Sequence, residues 1–270
     1  LPSYASYEVC SGKIPVDTKV VRSLHAHGAP FSTAKQMRED PHYKEHTLEV
    51  VLPLIQKYAP QAKLVPLFVG ALEPDQVCTA ARRLKKYIDK QTVIVVSADF
   101  THYGPAFDNV PFKNDQTAVL KIRSLDNQLL QPIFHRSLKD FLQKTTALHA
   151  NVCGKSPLSV LLSLFEQGAF AHEVPYLIGY DTSVYKKKDA HNKVSFVGMV
   201  FAQSSGAATP VLTHYERRSL HELAQNVMKN SVDHKVSEEL LYPIISPALE
   251  KPARLFVAQS GDSDVSLYKQ

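Results

Sequence analysis

The stretch "VIVVSADFTHYG" (93–104) places Asp99, His102 and Tyr103 at the end of an apolar, β-branched run. A histidine that titrates near neutrality, set beside a carboxylate, is material for general acid/base chemistry or metal ligation. In open α/β sheets the C-terminal ends of buried strands carry such chemistry. The residues leave a second reading open, with Asp99 capping a turn and His102 an ordinary loop residue. Three more clusters hold reactive side chains. "YKEHTLE" (43–49) opens a helix with Glu45, His46 and Glu49, where carboxylates also suit the helix dipole. "HANVCGKSPL" (149–158) puts His149, Cys153, Gly154 and Lys155 just before a helix. A thiol there can have a lowered pKa and the amides can hold an anion, or Cys153 is simply a small apolar residue. "YDTSVYKKKDAHNK" (180–193) offers Asp181, Asp189 and His191 at a pocket mouth or in a solvated loop.

The elements that must position these residues are legible from periodicity. "KLVPLFVG" (63–70) reads as a buried strand, and 74–90 as a helix with Val77, Ala81, Leu84 and Ile88 on one face. Pro74 suits the start of that helix and the basic residues suit its end. A strand over 92–98 follows, so the spacing predicts a βαβ unit with a parallel strand pair. Upstream, 45–58 carries Leu48, Val51, Leu52, Ile55 and Tyr58 on one helical face, with Pro53 expected to kink it or mark its true start. Helices are predicted over 115–130, 137–144 and 156–168, the last capped by Gly168, and strands over 174–181 and 193–203.

Composition bounds the function classes. Of the 270 residues, 44% are hydrophobic and 21% charged, as in a folded globular chain. A formal charge of +5 is too small and too evenly spread to indicate nucleic acid, and Lys186-Lys187-Lys188 reads as a solvated loop. No apolar run reaches the length of a membrane span. Cys10, Cys78 and Cys153 make neither a CxxC zinc pattern nor a disulfide framework, which points to a reducing, cytoplasmic setting.

At 204–210, "SSGAATP", the composition shifts to that of a linker. Beyond it Thr213 and Glu216 have capping-box spacing, followed by the stripe Leu220, Leu223, Ala224 and Val227. The chain closes with a strand at "RLFVAQS", a Gly-Asp turn and a returning strand. About sixty residues is thin for an independent core. The expected organisation is one α/β domain over 1–203, a linker over 204–210 and an incomplete α+β appendage over 211–270. The opening "LPSYASYEVC" reads as mid-strand, so the chain is expected to be a piece of a longer product.

Taken in order, "EHTLEVVLPLI", "LVPLFVGAL", "VVSADFTHYG", "CGKSPLSVLL" and "VSFVGMVF" closely resemble the Memo family, over roughly residues 1–203. The resemblance implies a mixed or parallel central sheet flanked by helices, similar to the class III extradiol dioxygenases. It also implies a pocket that binds iron or copper, with a dioxygenase-like redox role. On this resemblance His102 is a general acid/base or outer ligand and Asp99 orients it. Glu45, His46, Glu49 and Cys153 line the pocket.

Two departures matter. Family members carry two metal-ligand histidines upstream of the part matching "LPSYASYEV", in PHAGY-like and GPSHH-like segments that this sequence does not contain. A third ligand position falls near Lys186, and a protonated lysine is a poor ligand. His46 and His102 are then the histidines left to hold Fe(II) or Cu, and the expectation is weak binding or none. Three readings stay open: a metal-dependent redox enzyme, a non-catalytic module whose pocket captures a peptide or a protein side chain, and a fragment that has lost its metal; the expected ligand is a small molecule or a peptide. The tail resembles the start of an AMMECR-type domain, carried in the same longer chain and cut before its LRGCIG signature.

Overall fold

The computed structural model of the chain describes residues 1–9, 12–32, 47–183, 191–203 and 218, with the backbone of Leu255–Gln259 and Val265–Lys269. Its elements begin with β1 (Ser6–Val9), β2 (Gly12–Pro15), α1 (Thr18–Ala26), α2 (Thr47–Tyr58) and α3 (Pro74–Leu84). They continue with β3 (His102–Tyr103), α4 (Ala118–Phe134), α5 (Leu138–Ala147) and α6 (Lys155–Glu166). Four strands complete the order: β4 (Glu173–Thr182), β5 (Lys193–Gln203), β6 (Leu255–Gln259) and β7 (Val265–Lys269). Helices and strands are thus mixed, as an α/β chain requires. Among the described residues no helix is long and apolar enough to cross a membrane.

The chain forms two compact units, one of Leu1–Ala98 with Gly154–Ala169, the other of Asp99–Cys153 with Phe170–Gln270. In the first, β1 and β2 pair antiparallel, and α1 starts at Asp17, whose side chain accepts from the Val20 amide at 3.0 Å. Pro74 occupies the first turn of α3, and the Glu73 amide donates to Gln76 Oε1 at 2.9 Å. Buried Val77, Ala80 and Ala81 give α3 a small-residue face, and α3 packs against α6. The helix ends earlier than its apolar stripe suggests. Lys85–Tyr87 tighten into a 3-10 turn, and Ile88 leaves it in extended conformation. At the end of α6, Gly168 takes φ +73° and its amide bonds Phe165 O at 2.8 Å, the cap its sequence predicts. The helix α2 runs through Pro53 rather than starting there.

The predicted strands over 63–70 and 92–98 are not laddered, and the parallel pair between them does not form. Only an isolated parallel bridge joins Leu64 to Val16. The named ladders are antiparallel. The reason lies in partners rather than propensity. Among the described residues Val93 to Ala98 make no hydrogen bond, and Val93 and Val95 stay 83% and 56% exposed.

The second unit is built on the long β4–β5 hairpin, paired from Glu173↔Gln203 to Thr182↔Ser195, with a register shift between Leu177 and Gly179. The short β3 adds to the other edge of β5 through His102↔Val194 and Tyr103↔Lys193. Against β5 lies α4, and α5 packs on α4. Ile122, Leu129, Leu130, Phe141, Leu177 and Tyr103 are fully buried between them. Burying each such aliphatic side chain stabilises the fold by about 1.5–3 kcal/mol. β6 and β7 pair antiparallel, the returning strand expected at the end of the chain. The expected linker at 204–210 and the Thr213–Glu216 capping box lie outside the described residues.

Candidate functional site

Residues 99–104 are held on both sides by backbone. On one side Phe100 N donates to Ser195 O at 3.0 Å and Ser195 N to Thr101 O at 3.1 Å. On the other, His102 N donates to Asn151 O at 3.2 Å, and Thr101 forms an antiparallel bridge with Val152. The strip between β5 and residues 151–153 therefore fixes where the Asp99 and His102 side chains leave the backbone. Gly104 turns the chain away at φ +128°, where a Cβ would stand 2.4 Å from Asn192 Oδ1 and 2.5 Å from His191 O. Only glycine fits that turn.

The His102 ring is anchored. Its Nδ1 lies 3.0 Å from Phe100 O, and a carbonyl can only accept, so Nδ1 carries the proton. In the neutral ring Nε2 is then a bare acceptor, and it sits 3.9 Å from Asp99 Oδ2. Phe107 meets the ring edge-on at 4.9 Å. Asn109 Nδ2 donates to His102 O at 2.6 Å, tying the backbone behind it. The His102 side chain is 17% exposed and that of Asp99 46%, so the pair is more open to solvent on the Asp99 side. Cys153 joins them: the Asp99 amide donates to its Sγ at 3.1 Å, and Sγ lies 3.6 Å from Asp99 O. The thiol is exposed.

Behind this strip is a buried polar group that motif reading missed. Asp126, on α4, is fully buried. Its Oδ1 accepts from Thr101 Oγ at 2.6 Å and Thr101 N at 3.3 Å, and its Oδ2 accepts from Tyr180 Oη at 2.7 Å. Burial pushes the Asp126 carboxyl above the ordinary aspartate range, while hydrogen bonds from Ser195, Thr101 and Tyr180 pull it back. Burial, and then the neighbouring Asp126 charge, push the Tyr180 phenol far up. The Arg123 guanidinium lies 5.2 Å from the Tyr180 ring centroid. The carboxylate thus ties α4, β4 and β5 to the residue preceding His102. Its signal in the sequence is a lone Asp in the apolar stripe Ile122, Leu129, Leu130 and Ile133.

Of the residues singled out from sequence, Asp99, His102 and Cys153 come together. Glu49 lies exposed on α2, in the other compact unit. Glu45, His46, Lys186 and Asp189 fall outside the described residues. Asp181 accepts from the adjacent Thr182 amide at 2.8 Å, and His191 lends its carbonyl to the crowding at Gly104. His149 is exposed at φ +46° and borders a cavity of about 10 Å³ beside Thr101, room for no more than about one water. Gly154 has a packing role, since a Cβ there would stand 1.9 Å from the Ala98 Cβ.

Among the described residues no group of three or more His, Cys, Asp and Glu stands close enough to hold a metal ion. Asp99 and His102 supply two donors where a non-haem iron face uses three. The described donors therefore do not by themselves fit an iron or copper site.

A family model described as "Memo-like protein" matches residues 3–200. A "MEMO1 family protein" of Thermococcus onnurineus is 26% identical over 198 residues, covering 70% of this chain and 66% of the relative. A Schizosaccharomyces pombe "MEMO1 family protein" is 27% identical over 217 residues, 70% of this chain and 69% of the relative. "Protein MEMO1" of Danio rerio is 27% identical over 153 residues, 55% of this chain and 50% of the relative. The chain thus spans about two thirds of the length of the archaeal and yeast relatives and half that of the fish protein.

Proposed function

The chain belongs to the Memo family, and from that premise we propose that Asp99, His102 and Cys153 form the wall of a ligand pocket in which His102 Nε2 is the proton acceptor. The observation that carries this reading is the hydrogen bond between His102 Nδ1 and Phe100 O, which leaves Nε2 bare and 3.9 Å from the Asp99 carboxylate. Two acceptors at that separation suit one shared donor, such as an ammonium, a guanidinium or a hydroxyl of a small molecule or peptide side chain. A cationic donor placed between them hydrogen-bonds to Nε2 and is attracted by the Asp99 carboxylate. Cys153 holds the Asp99 backbone and borders the same opening.

A metal-dependent redox role is the second reading. It is favoured by the same Nδ1–H···O=C contact, which is how metal-ligating histidines are commonly oriented. It requires donors beyond Asp99 and His102, and His46 is one that the sequence offers. Iron or copper is therefore expected to be held weakly by this chain. Residues 211–270 we read as the opening of an AMMECR-type domain, supported by motif resemblance alone.

The two readings separate in one experiment. The purified chain is loaded with Fe(II) under nitrogen, or with Cu(II), and then dialysed against a competing chelator. In parallel, n-butylammonium is titrated while the Asp99 and Cys153 amides are followed by NMR. The binding reading expects the metal to be stripped, and butylammonium to shift both amides in the wild type but not in His102→Ala. Stoichiometric metal that survives the chelator, and is lost in His102→Ala, overturns it in favour of the metal site.

A further inference from the structure

The cluster around Asp126 can be hydrogen-bonded in more than one way. In the present arrangement Thr101 Oγ and Thr101 N donate to Oδ1 at 2.6 and 3.3 Å, and Tyr180 Oη donates to Oδ2 at 2.7 Å. The Ser195 hydroxyl reaches both Asp126 and Tyr180, and its Oγ also lies 3.5 Å from Thr101 O. That last contact is long for a hydroxyl bond, because the single Ser195 proton goes to the stronger, charged acceptor. Thr182 stands opposite Ser195 in the β4–β5 hairpin, 2% exposed, and its Oγ has no partner among the described residues. Donors and acceptors are thus not all matched, and a second arrangement is open to the cluster. Among the described residues β4 brings the Tyr180 phenol to Asp126, and α4 brings Arg123, one turn earlier and 5.2 Å from the Tyr180 ring centroid. On β5, Lys193 shares the face of Ser195 but donates to Asn114 Oδ1 at 2.6 Å. The strip 99–104 presents the Thr101 hydroxyl and amide, which do not titrate.

We propose that Asp126 is a positioning residue for His102, and that a proton on Asp126 reverses a hydroxyl relay running through Tyr180 and Ser195 to the Thr101 carbonyl. Ionised Asp126 only accepts, so the hydroxyls around it point inwards. When it takes a proton from solvent, Oδ1 must remain an acceptor, since the Thr101 N–H cannot turn away. The new proton therefore sits on Oδ2 and is donated to Tyr180 Oη. Tyr180 then turns its own O–H to Ser195 Oγ, and Ser195 turns to Thr101 O. After the first protonation no O–H bond breaks, and the hydroxyls only rotate. Thr101 O belongs to the peptide whose N–H, on His102, donates to Asn151 O at 3.2 Å. A donor placed on that carbonyl strengthens the same peptide's N–H as a donor. The charge state of Asp126 thus reaches the backbone from which the His102 ring departs. Burial places the step above the ordinary aspartate range. The inference rests on the reading of His102 as the acceptor in the pocket, and it links ligand affinity there to a proton the ligand never touches.

The relay is read in the ligand-free 270-residue chain, so it can fail while the pocket reading stands, and the butylammonium titration can fail while the relay stands. Side-chain carboxyl carbons of aspartate and backbone amides are followed by NMR as pH falls from about 9 to about 4. The Asp126 carboxyl and the His102 amide should move with one midpoint. Asp126→Asn keeps an acceptor at one position and places a donor at the other, as the protonated acid does. It should hold the His102 amide at its acid position throughout, and any change that follows the imidazole itself persists in this variant and is subtracted. Ser195→Ala should leave Asp126 titrating but remove most of the matching step at His102, and Ser195→Thr should restore it. A merely structural role for Asp126 would not separate the two signals. If Ser195→Ala does not fold, Tyr180→Phe breaks the relay one position earlier and should act alike. A His102 step that keeps most of its size in Ser195→Ala or Tyr180→Phe overturns the relay. So does a His102 amide that rests at its alkaline position in Asp126→Asn.

Discussion

Replacing Tyr180 with Phe removes a single oxygen from the buried network behind the candidate site and leaves the ring, with Arg123 beside it, in place. The variant loses the 2.7 Å donation from Tyr180 Oη to the fully buried Asp126 Oδ2, together with the Ser195 hydroxyl contact on Tyr180 Oη. A hydrogen bond to a charged group contributes about 1.5–3 kcal/mol and one between neutral groups about 0.5–1.5 kcal/mol. Tyr180→Phe should therefore cost about 2 kcal/mol at a pH above the folded pKa of Asp126. The pH dependence follows from the direction of the Asp126 shift. Burial raises its folded pKa above the ordinary 3.8, so its contribution is complete below that value and is lost as pH rises through the folded pKa. Taking away a donor raises the folded pKa further. The variant then loses more than the wild type at high pH, and its deficit shrinks on acidification towards the cost of a neutral bond, about 1 kcal/mol. Urea unfolding followed by far-ultraviolet circular dichroism, with m-values compared, measures this directly. A deficit below about 0.5 kcal/mol across the whole pH range, or one that grows on acidification, would refute the account of a buried carboxyl held by hydroxyl donors.

Thr101→Val, which strips the 2.6 Å donor from Asp126, should loosen the residue before His102 and shift the ring away from the Nδ1–H tautomer. Thr101→Ser should restore that tautomer, and long-range nitrogen–proton NMR of the imidazole reads the balance directly. Gly104→Ala should destabilise the second unit by about 2 kcal/mol or more, from the positive φ together with contact on Asn192 and His191, as thermal unfolding would report. At Gly154→Ala the new methyl meets the Ala98 Cβ, and a cost of about 1–3 kcal/mol is expected. The double variant with Ala98→Gly should recover most of it, and absence of recovery would place the strain elsewhere.

Local pattern carried far into this protein. The apolar periodicity of 74–90 and 156–168 became α3 and α6, Gly168 capped as its sequence predicts, and 174–181 and 193–203 became β4 and β5 to within a few residues. The ordered motifs around Asp99, His102 and Cys153 pointed to the Memo family, which the family match bears out. Asp99 and His102 are close in the sequence, but residues three apart on an extended chain point to opposite faces, and the folded backbone is what brings Nε2 to 3.9 Å from Asp99 Oδ2. What sequence could not decide was anything that depended on a distant partner. Whether Cys153 meets Asp99 rests on a contact between residues 54 positions apart, and the Asp126 cluster joins α4, β4, β5 and Thr101. The same limit explains the runs at 63–70 and 92–98. Their β-branched composition states a preference for strand, but a strand exists only where another backbone supplies its hydrogen bonds. That supply is a property of the assembled chain, and no propensity of the run itself contains it.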